Sequence, residues 1–344
     1  MIAYGVALPD ALGATAPLTN AGSLRSRGWE VSANYNQRIG QVNFYVNAIV
    51  SDYTTKVTEW NNPTRILSGY YSGSNYGDIW GFETDRYFTE DDFAGKDADG
   101  NWIYKEGVAD QTGLQKGTFV YGPGDIKFKD LKADGVIDGG KGTADDHGDL
   151  KVIGNTQPRY QYSFHIGGDW KGFDLDLYFQ GVGKREMWTT SAFVMPLMRG
   201  ADGTYDHMES YNKMIFDADG NITGYEVNQD NTYPCMYPGN EGKGNVSGIS
   251  AGSNNFYPQS RYLVDMSYLR LKNITFGYTV PQVWTRKAYI EKARVYFSAD
   301  NIATPYRGNK GLPLDPEMNA GSGNSWGRTT PIAKTFSCGL QVTF

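Results

Sequence analysis

Apolar and polar residues alternate strictly at the end of the chain, over residues 335–344. Apolar residues stand at every second position, namely Phe336, Cys338, Leu340, Val342 and Phe344. Small or polar residues fill the positions between them. Because successive side chains of a β-strand point to opposite faces, this segment has one apolar and one polar face. Such a strand is typical of a transmembrane β-barrel, with lipid on one side and a polar lumen on the other.

The same alternation recurs in earlier segments. They are residues 2–6, 29–35, 44–50, 160–166, 173–179, 274–278 and 295–299. Together with the last segment, the pattern predicts eight strands. Leu269 and Leu271 have the opposite parity to Ile274 and Phe276. This change predicts either a β-bulge near residues 272–273 or an apolar face that begins only after Lys272.

Short and long connections alternate between these strands. The short ones are 39–41, 170–171 and 280–291, and the long ones are 54–157, 184–266 and 300–331. An outer-membrane barrel has this arrangement, because its periplasmic turns are short and its extracellular loops are long. We therefore predict an all-β fold, an antiparallel transmembrane β-barrel with long extracellular loops. Phe344 would then lie at the periplasmic rim.

Three architectures fit eight such strands. The strands either close as a complete small barrel or belong to a larger barrel, whose further strands pair with the two outer ones. The outer strands need such partners because unpaired backbone in hydrocarbon costs several kcal/mol per group. A soluble β-sandwich or solenoid is the third architecture.

Composition excludes other classes of protein. The chain has 344 residues and a mean hydropathy of −0.52, without the run of about 18 apolar residues that a membrane helix needs. A net charge of −6 and a pI near 5.2 argue against nucleic acid as a partner. Cys235 and Cys338 lie far apart, and we expect Cys338 to act as a small apolar residue. No export signal follows Met1, so we expect either a removed signal or a piece of a longer chain.

One acidic segment resembles a calcium-binding loop. Asp130, Asp134 and Asp138 stand at its first, fifth and ninth positions, where carboxylates wrap around Ca²⁺ in known loops. Lys132 and Lys141 occupy the third and twelfth positions, where further ligands would be expected. Calcium is therefore the one cofactor that the sequence suggests. A glycine-assisted turn without metal is the alternative.

Two other motifs are better explained by turns and loops than by chemistry. The pentapeptide Asp-Ala-Asp-Gly-Asn occurs at 97–101 and again at 217–221, and we predict hairpin tips there, with cation sites as the alternative. Gly-x-Ser-x-Gly at 248–252 matches a nucleophile elbow, which needs a strand before it and a helix after it. Neither pattern flanks this segment, so we predict that the protein is not an enzyme.

Aromatic residues crowd the long connections. Flat aromatic faces beside Asn, Asp and Arg side chains are suited to holding sugars and flexible peptides. The residues that we select as candidate ligand contacts are Trp60, Tyr76, Trp80, Trp102 and Trp188. The alternative is that these rings pack the loops on themselves or against a partner.

A series of longer motifs runs through the chain in order. They include Gly-Trp-Glu at 28–30, Gly-Asp-Ile-Trp-Gly-Phe-Glu-Thr at 77–84, Lys-Gly-Phe-Asp-Leu at 171–175, Ser-Tyr-Leu-Arg-Leu-Lys-Asn-Ile-Thr-Phe-Gly-Tyr at 267–278 and Asp-Pro-Glu at 315–317. This ordered set covers nearly the whole chain. It resembles the C-terminal portion of the SusC/RagA family of TonB-dependent outer-membrane transporters.

The resemblance implies a fold and a function. The chain would supply about eight strands of a plugged barrel of roughly 22 strands, without the signal, the TonB-contacting segment, the plug and the earlier strands. The complete protein would import an oligosaccharide or an oligopeptide across the outer membrane of a Gram-negative bacterium. A SusD-like surface lipoprotein would help to capture this nutrient, and the TonB complex would act through the N-terminal part. A dimer of such transporter–lipoprotein pairs is left open.

The resemblance also assigns roles to segments. Loops 54–157 and 184–266 would contact the lipoprotein and the ligand. The last strand, with Phe336, Leu340, Val342 and Phe344, would face the lipid bilayer and carry the signal for barrel assembly. Two alternatives remain, namely a complete small outer-membrane barrel that acts as an adhesin or structural protein, and a soluble carbohydrate-binding β protein.

Overall fold

The computed structural model describes residues 2–4, 18–20, 22–117, 119–191, 194–195, 205–236, 254–317, 327 and 330–344. Its strands are β1 (Ile2–Tyr4), β2 (Leu18–Asn20), β3 (Gly22–Ile39), β4 (Val42–Trp60), β5 (Asp78–Phe82), β6 (Thr84–Tyr87), β7 (Phe93–Lys96), β8 (Trp102–Tyr104), β9 (Ile126–Phe128), β10 (Leu150–Asn155), β11 (Arg159–Trp170), β12 (Phe173–Lys184), β13 (Glu186–Met187), β14 (Lys213–Phe216), β15 (Ile222–Glu226), β16 (Val264–Asp265), β17 (Tyr268–Thr279), β18 (Lys292–Arg307) and β19 (Thr335–Thr343). The helical segments are α1 (Gln282–Thr285) and 3₁₀ turns at Glu90–Asp92, Thr112–Leu114, Asp206–Met208, Asn254–Phe256 and Arg286–Ala288. No helix within the described ranges is both long and apolar enough to cross a membrane.

Seven long strands form one antiparallel sheet. Their order is β19–β18–β17–β12–β11–β4–β3, so strands that follow one another along the chain lie side by side. The predicted all-β, antiparallel architecture is therefore confirmed. The eighth predicted strand also forms, but it lies in a separate two-stranded sheet, where β1 pairs with β2 and Ile2 faces Asn20.

This sheet is open within the part of the chain that the structure describes. β19 and β3 are its edges, and each pairs with a single neighbour in the sheet. The small-barrel alternative requires the strands to close on themselves, and the described strands do not. In hydrocarbon, the free backbone groups of both edges would need partner strands.

Short turns join the strands at one end of the sheet, which we call the short-turn end. β3 and β4 are separated by residues 40–41, and β11 and β12 by Lys171 and Gly172. Lys171 and Gly172 have φ angles of 50° and 90°, and positive φ at both positions is what a type I′ hairpin requires. The third short connection contains α1. All three short turns lie where the sequence predicts them.

At the other end, the strands run further than the sequence pattern predicts. The long connections between sheet strands are 61–158, 185–267 and 308–334, in place of the predicted 54–157, 184–266 and 300–331. β4 continues to Trp60, where it still pairs with Gly22 of β3. Most residues of this extension are polar on both faces, for example Thr55 and Lys56, so the ladder continues after the apolar alternation has stopped.

The register places the apolar residues of all seven strands on one face. Leu340 of β19 faces Val295 of β18, and Phe297 of β18 faces Phe276 of β17. Exposed apolar side chains on this face are Trp29, Val31, Tyr35, Ile39, Val42, Ile166, Trp170, Phe173, Leu175, Phe276, Val295, Phe297, Phe336 and Leu340. A wide exposed apolar sheet face is expected where the solvent is lipid.

The opposite face of the sheet is polar and internally hydrogen-bonded. Its side-chain bonds include Asn43 Nδ2 to Asp169 Oδ2 (2.7 Å), Arg294 Nε to Asp174 Oδ2 (2.9 Å) and Asn273 Nδ2 to Asp300 Oδ1 (2.7 Å). Tyrosine rings also cover strand glycines there. A Cβ at Gly339 would meet the far end of the Tyr296 side chain, so a larger residue there would have to displace this ring. The polar pattern fits the lumen side of a barrel.

A register shift occurs where the apolar parity changes. Tyr178 of β12 faces Asn273, whereas the next residue, Phe179, faces Leu271. The pairing of β17 with β18 is irregular at the same place. The predicted bulge is therefore confirmed. Lys272 lies in this bulge, and its Nζ is 2.8 Å from Glu317 Oε2.

The long connections fold into a compact unit of short hairpins, which we call the loop head (the described residues of 61–158, 185–267 and 308–317). The strand pairs within it are β5–β10, β6–β9, β7–β8, β13–β16 and β14–β15. Its fully buried large side chains include Tyr87, Phe88, Phe119, Tyr121, Ile126, Phe128, Ile137, Met195, Met208, Tyr233 and Met266. The apolar core of the described chain thus lies in the loop head and not against the sheet.

The two Asp-Ala-Asp-Gly-Asn segments are hairpin tips, as predicted. In the tip between β7 and β8, Asp97 Oδ1 accepts hydrogen bonds from the backbone N–H of Asp99 and Asn101 at 2.9 and 2.8 Å. Asp217 makes the same bonds, with the same distances, in the tip between β14 and β15. Each first aspartate therefore satisfies the backbone of its own turn.

Candidate functional site

An aromatic cavity of about 390 Å³ lies where β4 enters the loop head. The residues that line it are Trp60, Leu67, Ser68, Gly69, Tyr70, Tyr71, Ser74, Asn75, Asp78 and Trp80. Trp60 is the last residue of β4, and Trp80 lies in β5 opposite Val152 of β10. The volume is within the usual range of small-molecule sites, about 300–1,000 Å³.

Asn62 fixes the segment that carries Tyr70 into this cavity. Its Nδ2 donates to the carbonyl oxygens of Ile66 and Tyr70, both at 3.0 Å, and its Oδ1 accepts from the Ile66 N–H at 3.1 Å. Further along, Ser74 Oγ donates to the Tyr71 carbonyl at 2.7 Å. One asparagine and one serine thus stabilise the backbone of residues 62–74.

The rings around the cavity contact one another. The Trp60 and Tyr70 rings meet edge to face, with centroids 5.6 Å apart. Tyr76 stacks on the other side of Tyr70 at 5.1 Å, and Trp80 lies 5.4 Å from the ring of His147. Burial, together with the Tyr76 hydroxyl, raises the pKa of Tyr70 to about 12, so Tyr70 remains a neutral phenol at physiological pH.

Polar groups stand beside these rings. Asp78 accepts hydrogen bonds from Asn75 Nδ2 at 3.1 Å and from Asn155 Nδ2 at 2.8 Å. The Arg65 guanidinium lies 5.2 Å from the centre of the Tyr71 ring, and it forms an ion pair with Asp145 at 2.6 Å. A flat apolar wall with a carboxylate and an amide at its edge can stack a sugar ring or peptide group and hydrogen-bond its polar atoms.

The five ring residues selected from the sequence divide into two groups. Trp60 and Trp80 line the cavity, and Tyr76 supports it by stacking on Tyr70. Trp102 instead packs against Phe93, Tyr225 and Lys96, with ring centroids 5.0 Å apart for Phe93. Trp188 also packs on the core of the loop head. For these last two tryptophans, the packing alternative explains the position.

Eight of the ten lining residues were not selected from the sequence. Those with rings or polar groups suited to a ligand are Tyr70, Tyr71, Asn75 and Asp78. Tyr70 and Tyr71 belong to the same aromatic stretch as Trp60 and Trp80, and Asp78 lies in the 77–84 motif. The signal was therefore the clustering of these residues along the chain, which selection of single tryptophans did not use.

The acidic segment at 130–138 folds as a turn organised by Asp130 and Asp149. Asp130 accepts from the N–H groups of residues 133 and 135 at 2.6 and 2.8 Å, and buried Asp149 accepts from those of 131 and 138 at 2.8 and 2.9 Å. The Lys132 ammonium lies 3.0 Å from Asp134 and 3.3 Å from Asp138. Lysine therefore stands where the calcium prediction places a metal.

No cluster of three or more His, Cys, Asp or Glu side chains in the described ranges is arranged to hold a metal ion. The carboxylates of Asp130, Asp134 and Asp138 are used by the backbone and by Lys132, so this arrangement favours the glycine-assisted turn. The Gly-x-Ser-x-Gly segment at 248–252 lies outside the described residues.

The selected residues of the last strand share one face. Phe336 and Leu340 are 65% and 67% exposed, Phe344 just beyond β19 is 87% exposed, and Val342 is half-buried. They continue the apolar face of the sheet to its edge. Cys338 is a free thiol on the same face, as its position in the alternation predicts.

Sequence comparison identifies relatives over the whole chain. No protein-family model matches it. TonB-dependent receptor P3 from Formosa agariphila is 26% identical over 369 residues, covering 98% of this chain and 30% of the relative. TonB-dependent receptor P26 from the same organism is 24% identical over 352 residues, covering 98% of this chain and 31% of the relative. The chain thus spans about 30% of the length of these curated relatives.

Solved structures share the fold. The RagAB peptide importer in its open-open state aligns with 100% of this chain and 31% of its own, with a TM-score of 0.58 at 18% identity. Its closed-closed state aligns with 98% of this chain and 32% of its own, with a TM-score of 0.57 at 19% identity. The chain is thus similar in sequence to TonB-dependent receptors over nearly its whole length, and it shares its fold with part of the RagAB importer.

Proposed function

We propose that the full-length receptor imports a nutrient oligomer, an oligosaccharide or an oligopeptide, across the outer membrane in a TonB-dependent manner. The single observation that carries this proposal is the aromatic cavity beside Trp60 and Trp80, which lies in the loop head. The predicted topology puts the loop head on the outside of the cell. The apolar sheet face supports a position in the membrane, and the relatives' name supports the dependence on TonB.

No bond of the nutrient is broken in this proposal. The rings of Trp60 and Trp80 stack on a sugar ring or a peptide plane, and Asp78 and Asn75 bind its hydroxyl or amide groups. A bound ligand shifts the receptor between conformations only by its difference in affinity for them. Import therefore requires that some of these contacts be lost when TonB acts, so that the nutrient is released inwards.

A SusD-like lipoprotein is the partner that we propose for the loop head. A cavity of about 390 Å³ is small compared with an oligomer, so further contacts must come from elsewhere. A partner that covers the loop head would supply them and would exclude water from the rings. The apolar residues exposed on the hairpins, Ile103, Ile215 and Phe216, are available for such a contact.

Replacement of the cavity tryptophans tests the proposal. We expect Trp60→Ala and Trp80→Ala to weaken binding of the nutrient about tenfold or more, because each removes a stacking face. A strain that lacks the receptor gene, complemented with each variant, is grown on a panel of oligosaccharides and peptides as sole carbon source. Slower growth of both variants at limiting nutrient is the expected result.

The matched control is Trp284→Ala, because Trp284 is 65% exposed in α1 at the short-turn end, far along the chain from the cavity residues. This variant should grow like the wild type. Growth of the cavity variants at the wild-type rate would remove the cavity from the proposal. Growth of the deletion strain at the wild-type rate on every compound would contradict import of these two classes.

A further inference from the structure

A second cavity, of about 310 Å³, lies in the loop head between the connections 185–267 and 308–334. Its lining includes Tyr233, Arg261, Tyr262, Asn309 and Lys310. It shares no lining residue with the aromatic cavity described above. Its chemistry is also different, because two cationic side chains, Arg261 and Lys310, belong to its lining.

Arg261 is held in place by carbonyl groups and by a ring. Its Nε donates to the Thr232 carbonyl at 3.4 Å, and its Nη2 donates to the carbonyls of Asn231 and, at 3.4 Å, Gln229. The guanidinium lies 4.4 Å from the centre of the Tyr87 ring. Within the described ranges, no carboxylate pairs with it and no acceptor takes a bond from Nη1. A fixed guanidinium with an unused N–H face is suited to an oxyanion.

Lys310 adds a second cation. Its side chain is exposed, and its ammonium forms no ion pair in the part of the chain that the structure describes. Asp265 is the carboxylate among the lining residues, and one of its oxygens accepts from the Ser267 N–H at 2.8 Å. Arg261 and Lys310 thus outnumber the one carboxylate of the lining.

The tyrosines form a flat, uncharged floor. The rings of Tyr233 and Tyr262 are stacked, with centroids 5.5 Å apart and planes 12° apart. Their hydroxyl groups donate to the carbonyls of Val194 at 2.8 Å and Thr232 at 3.0 Å. Burial raises the pKa of both phenols, so neither competes as an anion for the two cations. Both rings are almost fully buried, at 2% and 5% exposed, so they form a rigid, uncharged floor and offer no free face to a ligand.

Asn309 leaves one hydrogen bond unmade in the same cavity. It is 3% exposed, and its Nδ2 donates to the Leu314 carbonyl at 2.9 Å. Its Oδ1 is buried and accepts nothing from the described residues. This oxygen lies beneath the surface, so the groups that a ligand reaches in this cavity are the two cations and the apolar side chains of the lining.

We propose that this cavity binds a negatively charged sugar unit of the imported oligomer through its carboxylate or sulfate group. Arg261 and Lys310 bind the oxyanion, and the sugar ring lies against apolar side chains of the lining such as Leu263 and Leu312. The inference rests on the proposed function for its biological role, since it names the substrate class as an acidic oligosaccharide. Binding itself does not depend on import.

Titration of single sugar units into the full-length receptor tests the inference. The probes are glucuronate for the carboxylate, galactose 6-sulfate for the sulfate ester, and glucose as the neutral sugar, each followed by calorimetry in detergent at constant ionic strength. We expect one of the acidic sugars to bind and glucose not to bind. Lys310→Gln should raise the Kd of that sugar about tenfold, because one charge-assisted hydrogen bond is lost.

Two further variants separate charge from folding. Lys287→Gln removes the same charge from the turn beside α1 and should leave the Kd unchanged. Arg261→Lys keeps the charge but loses the planar, paired N–H donors of the guanidinium, so it should weaken binding without unfolding the cavity. Equal binding of glucose and both acidic sugars, no binding of any acidic sugar, or an unchanged Kd in Lys310→Gln would each overturn the inference. Tighter binding of N-acetylglutamate than of the acidic sugars would overturn the sugar class.

Import is measured separately, by growth of the complemented strain. A receptor that binds acidic sugars through Lys310 but does not support growth would contradict the proposed function and leave this cavity's chemistry intact. A receptor that supports growth on neutral oligomers only, without binding acidic sugars, would contradict this inference alone.

Discussion

Leu340→Arg in the full-length receptor is expected to lower the fraction of folded protein in the outer membrane. Leu340 is 67% exposed on the apolar face of β19, where it stands opposite Val295. If this face contacts lipid, an arginine there costs about 2–4 kcal/mol at the bilayer midplane and less near the rim. A loss of this size is a large part of the stability of many proteins.

The matched control is Ser337→Arg, on the opposite face of the same strand. Ser337 stands opposite Ser298, whose hydroxyl accepts a hydrogen bond from Asn273 Nδ2 at 3.0 Å. The same Nδ2 donates to Asp300 Oδ1 at 2.7 Å. An arginine there meets polar groups and a carboxylate, so its effect should be small. Folded receptor is measured as the fraction that resists heat-dependent unfolding on a gel. Equal losses for both variants would mean that the face assignment is wrong.

Alternation alone was sufficient to predict the sheet. Each predicted strand forms, and the parity change between Leu271 and Ile274 marks the register shift that the structure shows. This works because one face of every strand meets apolar surroundings, so the pattern is imposed residue by residue. Turn residues such as Lys171 and Gly172 then fix where the chain reverses.

The ends of the strands and the loop head could not be predicted in this way. Thr55 and Lys56 pair with β3 although no apolar face continues there, because the backbone ladder needs no pattern. The loop head brings together residues far apart in sequence, such as Asn255 Nδ2 and Asp125 Oδ1, which lie 2.7 Å apart. Its contacts depend on tertiary packing, which a local pattern does not contain.

The candidate sites follow the same division. Trp60 and Trp80 were selected from the aromatic stretch that begins at the end of β4, and both line one cavity. Trp102 and Trp188 pack against the core of the loop head, which the sequence could not distinguish from binding, because an aromatic residue in a folded loop is as useful for packing as for binding. The cavity at Arg261 joins two connections, so its lining could be recognised only from the structure.

Asp92→Asn is expected to destabilise the loop head by about 2–3 kcal/mol. Asp92 is 3% exposed and accepts two bonds from Arg86, at 2.6 and 2.7 Å, one from Lys127 at 3.1 Å and one from the Thr89 N–H at 2.9 Å. The asparagine amide is uncharged, so Arg86 and Lys127 lose their counter-ion. Breaking a fully buried pair costs about 3–5 kcal/mol, and the cost is lower here because the Arg86 side chain is 38% exposed.

The control is Asp91→Asn, one residue away, which removes the same charge from an exposed position. Hydrogen exchange of the full-length receptor in detergent reports the loss locally, because Asp92 links the turn at Glu90–Asp92 to β6 and β9. Amides of these strands should exchange faster in Asp92→Asn and at the wild-type rate in Asp91→Asn. Equal protection in both variants would show that the Asp92 ion pairs do not hold the loop head together.

Acid should act on the wild type as the substitution does. Burial alone would raise the pKa of Asp92, but the bonds from Arg86, Thr89 and Lys127 outweigh burial and hold it well below the ordinary value. A carboxyl whose pKa is lowered in the folded state stabilises that state above its unfolded pKa, about 3.9, and loses the effect as the pH falls further. Protection of β6 and β9 should therefore decline below about pH 4 in the wild type. Asp92→Asn, which has no such carboxyl, should show a flatter dependence on pH, and parallel curves for the two proteins would mean that another group causes the acid effect.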